Sequence, residues 1–567
     1  MRSVPTLPQE RRTVDDERTV EESPDFSILA IRTLFAVVWI AITAVVTFAT
    51  EKEYSAPVSY PNCGPLQGVD EVFEERRLHV YYGVPFMRPA LLQNRFERLS
   101  ILTRSWPFLL DARNQSQSCS QPSLNVGKMT LYNTNSTEDC LYLNIYLPAR
   151  KQSERSTPAY PIIVFIYGGG YHSGSNSFPF YSGKYLAAHG NAMVVVPNYR
   201  LGVFGFLRSS ILGLKGNQGL HDVHAALLWV KNNAAAFGGD VNSVTVMGHQ
   251  VGAAMIGLLN TLSGATQLFR RVVMMSGSPY MRHRKEDGKA KALEQEQLIQ
   301  KLGCRGEPKV LLDCLRSKTA QTMLDFALRL KNWKTMFIPN EYEDIHDDAS
   351  VDLRSTAFSK DLIIGTTMNE GSYYANLFLE TFSRYDASKL TRVEAYRYLQ
   401  EVTVGLGFHG YKELVSYYDQ KYKDHSPEVF FANAIGDIVV NCPMKQFAQD
   451  MASVNTKVFM YVFKHKPSYS TSRLEGAGHL DDIFISLGNA LDAPILNATE
   501  AEKGLSRDML RMWARFAAKG DPVSLLNVTW PQFTKGEGVY LSIGPEPTLA
   551  SRYLEADCDK VARAIFN

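Results

Sequence analysis

The stretch Ser243-Val-Thr-Val-Met-Gly-His-Gln-Val-Gly252 decides the fold. Ser243–Met247 is a short apolar run with β-branched residues, Gly248 and Gly252 flank a tight turn, and Val251–Leu262 has the composition of a buried helix. A buried strand that turns straight into a helix is half of a parallel β-α-β unit. Five further runs read the same way: Pro161–Tyr167 (PIIVFIY), Ala192–Pro197 (AMVVVP), Arg271–Met275 (RVVMM), Leu362–Thr366 (LIIGT) and Lys457–Phe463 (KVFMYVF). Helical stretches such as Asp222–Asn233 lie between them. Continuous apolar strands alternating with helices predict an α/β fold, with a mostly parallel central sheet and helices on both faces. No linker or repeat interrupts residues 65–567, which read as one large domain.

Composition narrows the function classes. The chain has 567 residues, a net charge of +2, 45% hydrophobic and 21% charged residues, which excludes wholesale disorder and low-complexity chains. Sixty basic residues face 58 acidic ones with no long basic run, so no nucleic-acid partner is expected. The seven cysteines contain no Cys-x-x-Cys pair, which argues against zinc-ribbon and thioredoxin sites. His221 and His224 stand three apart on a predicted helix with no further ligands nearby, so they read as structural. No metal or cofactor is expected. The charged run Met281–Lys291 reads as a solvated surface.

The N-terminus predicts an anchor. Thr33–Thr50 (TLFAVVWIAITAVVTFAT) carries no charge over 18 residues. As a helix it is about 27 Å long, close to the roughly 30 Å hydrocarbon core of a bilayer. Arg2, Arg11, Arg12, Arg18 and Arg32 precede it and only Lys52 follows closely, so the positive-inside bias places the short N-terminus in the cytoplasm. The expected organisation is a cytoplasmic tail 1–32, a transmembrane helix 33–50, a juxtamembrane linker 51–64 and an extracellular domain 65–567, a single-pass type II plasma-membrane protein. A cleaved signal peptide, with the small residues Thr47 and Ala49 before the cut, is the competing reading, but the polar leader and the apolar stretch are both long for one. A buried core helix is the other. Sequons at Asn114, Asn135, Asn497 and Asn527 all lie on the side that this topology makes extracellular, which predicts a glycoprotein.

Gly248-His249-Gln250-Val251-Gly252 has the frame of a nucleophile elbow, G-x-S-x-G, with Gln250 at the serine position. Other stretches fall into place around it: Tyr82-Gly-Val-Pro-Phe86, Glu138-Asp-Cys-Leu-Tyr-Leu-Asn144, Tyr167-Gly-Gly-Gly-Tyr171 with Ser173-Gly174, Asn198–Phe206 (NYRLGVFGF), Gly216–Leu220 (GNQGL) and Phe237-Gly-Gly-Asp240. With these motifs the chain resembles the type B carboxylesterase/cholinesterase family across roughly residues 65–567. The resemblance implies an α/β-hydrolase fold. It places the acid of a triad at Glu370 (Asn369–Tyr373, NEGSY) and the base at His479 (Gly478–Asp481, GHLD). It makes the backbone N–H groups of Gly169, Gly170 and Val251 the oxyanion donors. It also pairs Cys119 with Cys140, Cys304 with Cys314 and Cys442 with Cys558, leaving Cys63 as a free thiol or an interchain link. Buried ion pairs Arg95–Glu138 and Arg200–Asp222 are implied in the same way.

Gln250 changes the chemistry. Acyl transfer needs a hydroxyl that gives its proton to an imidazole and attacks a carbonyl. A carboxamide does neither, and its extra length would fill the space beside the oxyanion donors. Loss of the triad serine costs about 10⁶ in kcat, so Gln250, Glu370 and His479 form a degenerate triad with no esterase activity expected. His249 points away from the apex of the turn, and Ser173 reads as a turn residue. Counting ten residues back from Cys140, where cholinesterases hold a quaternary ammonium on a tryptophan, gives Thr130, which has no π face. Tyr132 is a weak substitute.

A membrane anchor without a nucleophile is similar to the non-catalytic cholinesterase-like adhesion proteins, namely neurotactin, gliotactin, the neuroligins and glutactin. That resemblance implies a catalytically inactive cell-surface protein, neuronal or epithelial, that mediates cell–cell or protein–protein interactions through a cell-surface or extracellular protein ligand. Leu505–Ala518 and the C-terminal helix resemble the helices that pair in family homodimers, although their apolar residues could equally be core. The alternatives are a membrane-anchored carboxylesterase with residual activity and a non-hydrolytic binder of small apolar or ester ligands.

Overall fold

The computed structural model describes residues 58–566, apart from 61–62, 103–105, 123, 127–128, 132–135, 151–157, 260–263, 282–287, 331–332, 340–359, 382–386, 455, 471, 493–495 and 523–527. They belong to one compact unit, Ser55–Asn567. The tail, Thr33–Thr50 and linker residues 51–57 and 61–62 lie outside the described residues, while Val58–Tyr60 of the predicted linker is a short strand. Among the described residues no helix is long and apolar enough to cross a membrane.

Eleven strands form the central sheet. They are β1 (Val69–Phe73), β2 (Arg76–Pro85), β3 (Tyr142–Pro148), β4 (Tyr160–Ile166), β5 (Met193–Pro197), β6 (Gly239–His249), β7 (Arg271–Met275), β8 (Asp361–Thr367), β9 (Val458–Phe463), β10 (Val539–Ile543) and β11 (Thr548–Ser551). Their spatial order is β11-β10-β9-β8-β7-β6-β4-β5-β3-β2-β1. The run from β10 to β5 is parallel throughout. The edges are antiparallel: β5 pairs β3, β3 pairs β2, β2 pairs β1, and β10 pairs β11. The sheet is therefore mixed: its centre is parallel, as expected of a mostly parallel sheet, and its edges are antiparallel. Each predicted strand is present within a few residues of its expected ends. In β5, β7 and β9 every residue is buried, as strands covered on both faces must be.

The helices that matter below are α1 (Lys184–Gly190), α2 (Gln218–Asn233), α3 (Val251–Leu259), α4 (Gly371–Thr381), α5 (Tyr411–Lys421), α6 (Cys442–Ser453), α7 (Asp481–Ser486), α8 (Glu500–Lys519) and α9 (Glu555–Phe566). Helix α8 opens with a capping box between Thr499 and Glu502 and closes on Gly520 in the left-handed region. Its apolar residues Leu505, Met509, Leu510, Trp513 and Phe516 are all buried in the domain. Arg511, Arg515 and Lys519 form its exposed side. These apolar residues of Leu505–Ala518 are therefore part of the domain core.

All three disulfides implied by the resemblance are present: Cys119–Cys140, Cys304–Cys314 and Cys442–Cys558. Cys63 is a buried free thiol in the core. Burial pushes its pKa up to about 11, and its seclusion removes the interchain link as an option.

Candidate active site

The site sits where three parallel strands end. At the end of β6 the chain turns through Gln250 into α3, with Gln250 at φ 53°, a left-handed conformation uncommon for a side chain of this size. Its N–H donates to the Met275 carbonyl at 2.8 Å, which ties the turn to β7. The flanking glycines are needed because backbone crowds them. A Cβ on Gly252 would stand 2.2 Å from the Ile166 carbonyl oxygen, and one on Gly248 would stand 2.6 Å from the Ala253 nitrogen.

Glu370 follows β8 and His479 follows the loop after β9. An isolated parallel bridge between Asn369 and Gly478 holds the two turns side by side. The Ser372 hydroxyl accepts the His479 N–H at 2.9 Å. His479 Nδ1 lies 2.5 Å from Glu370 Oε2, and both side chains are fully buried. Glu370 Oε1 accepts the Thr367 N–H at 2.7 Å, so both carboxylate oxygens are committed. A carboxylate on Nδ1 makes that nitrogen the donor and leaves Nε2 as the acceptor, the tautomer a general base requires. His479 Nε2 is buried without a hydrogen-bond partner. The acid–base half of a hydrolase triad is intact.

The third position holds the carboxamide of Gln250. Its Oε1 accepts the N–H groups of Gly169 at 2.8 Å and Gly170 at 3.3 Å. Its Nε2 donates to the Tyr374 hydroxyl at 3.2 Å. Donors meet acceptors at both ends, so the orientation of the amide is chemically fixed. The amide oxygen thus takes the two glycine N–H groups that the resemblance assigns as oxyanion donors. Val251, the third predicted donor, heads α3 beside it.

Tyr374, on α4 immediately after the NEGSY motif, was not singled out in the sequence. A tyrosine one helical turn after the acid is its only mark there. Its ring lies 5.2 Å from that of His479, and burial drives its phenol pKa well above 10.0. It therefore serves as a neutral acceptor for Gln250. Asp482, the next residue after the His479 motif, was missed as well. It is a fully buried acid whose pKa burial first, and Glu370 next, raise well above 3.8.

The remaining candidates take structural places. The Ser173 hydroxyl donates to the Gly169 carbonyl at 2.9 Å and secures the glycine loop. The His249 ring stacks on His479 with centroids 5.6 Å apart, and neither of its nitrogens has a partner. Burial, and then the neighbouring His479, hold its pKa well below 6.5, so it stays neutral. Thr130 lies in the short strand Met129–Leu131, while Tyr132 lies outside the described residues. Both implied ion pairs form. Arg95 grips Glu138 with two nitrogens, and its third donates to the carbonyls of Leu315, Arg316 and Lys318 at the end of the helix Pro308–Ser317. Arg200 grips Asp222 of α2 at 2.7 Å through both Nε and Nη2. Half-burial lowers the pKa of His224, and among the described residues no group of three or more His, Cys, Asp or Glu is arranged to hold a metal. Asn114 and Asn497 are exposed, as acceptors of glycans must be, whereas Asn135 and Asn527 lie outside the described residues.

An elbow at the end of a parallel strand, a Glu–His dyad from the loops after β8 and β9 and a paired-glycine loop define a hydrolase scaffold. Comparison with known proteins agrees. The profile of the carboxylesterase family matches residues 55–561, and the chain belongs to that family. It is 30% identical over 527 residues to the acetylcholinesterase of Bungarus fasciatus, covering 87% of this chain and 84% of that protein. It is 31% identical over 509 residues to a cholinesterase of Mus musculus, covering 86% and 83% respectively.

Proposed function

We propose that this chain is a catalytically inactive, cholinesterase-like cell-surface protein that works by binding a protein partner. The observation that carries this reading is the seat of the Gln250 amide oxygen, 2.8 Å and 3.3 Å from the two glycine N–H groups. A hydrolase needs a nucleophile at this turn and an empty oxyanion hole. Here one side chain removes both. The anchor at Thr33–Thr50 and the sequons support display of residues 65–567 outside the cell, type II, and the similarity to adhesion proteins supports a partner on a neighbouring cell, neuronal or epithelial.

The test has two arms. The purified chain is assayed with an activated ester beside its His479→Ala variant, and turnover that disappears in the variant overturns the inactive reading. Surface biotinylation of intact cells expressing the chain reads its orientation: labelling of residues 65–567 is expected, and labelling of 1–32 alone refutes the topology. A second reading, binding of a small ligand without hydrolysis, is favoured by one observation, the buried and unpartnered His479 Nε2. Calorimetric binding of an apolar alcohol that His479→Ala abolishes would support it.

A further inference from the structure

A second buried acidic cluster lies under the C-terminal helix, next to Gly436, which packs on Gly371 beside Glu370. Helix α9 packs on α5, on α6 and on a π-helical turn, Asp437–Asn441, and Cys558 in α9 is bridged to Cys442 at the head of α6. A π turn inside a helix is rare and frequently marks a functional position. Two buried carboxylates meet there, Asp437 from the π turn and Asp557 from α9. They address adjacent tyrosines of α5: the Tyr418 hydroxyl donates to Asp437 at 3.2 Å and the Tyr417 hydroxyl to Asp557 at 3.0 Å. Lys421 makes its ion pair with Asp557. Asp437 receives the Asn441 amide at 2.9 Å and makes no ion pair among the described residues. Tyr422 at the end of α5 and Tyr553 ahead of α9 face it too, while Lys445 of α6 faces Asp557, Glu555 and Asp559. Both cations thus favour Asp557: Lys421 pairs with it and Lys445 faces it, while Asp437 is left with neutral donors, the longer-range pull of Lys421 and a like charge.

We propose that the Asp437–Asp557 pair is a pH-sensitive latch on α9: loss of the proton from Asp437 loosens the helix from its seat, and the Cys442–Cys558 bridge keeps it attached. Burial, with Asp557 adding to it, raises the Asp437 pKa from 3.8 to about 7, against the opposing pull of Asn441, Lys421 and Tyr418. The docked state therefore binds a proton that the loosened, hydrated state releases. Docking is strongest below the ordinary carboxylate pKa, weakens as pH rises toward 7, and levels off above it. The latch uses neither Gln250, Glu370 nor His479, although Tyr553 faces both Asp437 and Glu370.

Hydrogen exchange of the full chain, corrected for the intrinsic pH dependence of exchange, reads the latch. The opening constant of residues 555–566 is expected to rise roughly tenfold per pH unit between about pH 5 and 7 and then flatten. Helix α2 should show no such rise. Asp437→Asn, neutral at every pH, should abolish it. Asp557→Asn serves as the second variant: it removes the repulsion and frees Lys421 for Asp437, so the rise should shrink there too. A flat wild-type profile overturns the latch without any variant. So does a rise shared equally by α2, or one that persists in Asp437→Asn.

Discussion

Replacing Gln250 by serine tests the site's logic most directly. In the wild type the carboxamide makes three hydrogen bonds, from the Gly169 and Gly170 N–H groups and to the Tyr374 hydroxyl. Gln250→Ser releases all three groups at once. At about 0.5–1.5 kcal/mol net per bond, and with water able to reach the freed groups, the variant should lose about 2–4 kcal/mol of stability. The backbone at φ 53° is strained for either residue, so that cost cancels. The catalytic gain can be bounded in the same way. Each restored oxyanion donor is worth about 10²–10³ in kcat, and a complete triad about 10⁶ over one lacking its serine. The dyad is already set, with Nδ1 on Glu370 at 2.5 Å and Nε2 without a partner. The expected gain is therefore at least about 10³-fold in hydrolysis of p-nitrophenyl acetate, with a burst of one phenolate per chain as the serine is acylated. Stopped-flow absorbance measures both burst and steady rate. Gln250→Ser/His479→Ala should show neither. Two results would refute the reasoning: a folded Gln250→Ser protein no faster than wild type, which would mean the dyad is not competent, or a wild type as fast as the variant, which would mean the amide is no plug.

Other expectations follow from groups outside the elbow. Arg95→Leu strands the Glu138 carboxylate and uncaps the helix Pro308–Ser317, so chemical denaturation should show a loss of about 3–5 kcal/mol. Burial alone would raise the Glu502 pKa, but bonds from Thr499, Ser468 and His465 hold it at about 2. Its stabilisation is present above the ordinary glutamate pKa and fades as pH falls toward 2, so Glu502→Gln should narrow its stability gap from wild type in acid melts. Cys63, buried with its thiol pKa raised to about 11, should resist iodoacetamide at pH 8 in the native chain, and non-reducing gels should show no dimer linked through it.

The sequence was most legible where one residue type does one job. A strand buried on both faces is apolar along most of its length, so the apolar runs of β4 to β9 announced themselves. The antiparallel edge did not, because its determinants are distant. The β1–β2 hairpin closes through Glu74 and Glu75, with φ of 45° and 63°, where a turn of this kind normally calls for Asn-Gly. Glu74 is held there by His189 of α1 and Arg507 of α8, contacts that no local pattern encodes. The apolar face of α8 is the converse case, since periodicity marks an apolar stripe without saying whether core or another chain covers it.

The active site divides along the same line. The positions of Gln250, Glu370 and His479 were readable because motifs carry them, and their mutual geometry follows from strand order. Where the carboxamide would go was readable only in part. Its length predicted crowding at the oxyanion donors. Its second anchor, the Tyr374 hydroxyl, depends on α4 folding back over the dyad and on burial keeping the phenol neutral. That anchor separates a plug from a dangling side chain. With Oε1 alone engaged, an incoming carbonyl could displace the amide at the cost of two hydrogen bonds, and the hole would stay open to ligands. With Nε2 held as well, displacement also strands a buried hydroxyl, a penalty of about 1–3 kcal/mol. Tyr374→Phe should therefore leave the fold in place while making the oxyanion hole easier to enter. Binding of a trifluoromethyl ketone, whose carbonyl oxygen seeks those donors, should tighten by about 5–100-fold in that variant. Unchanged affinity would mean that Gln250 is held by the glycine loop alone.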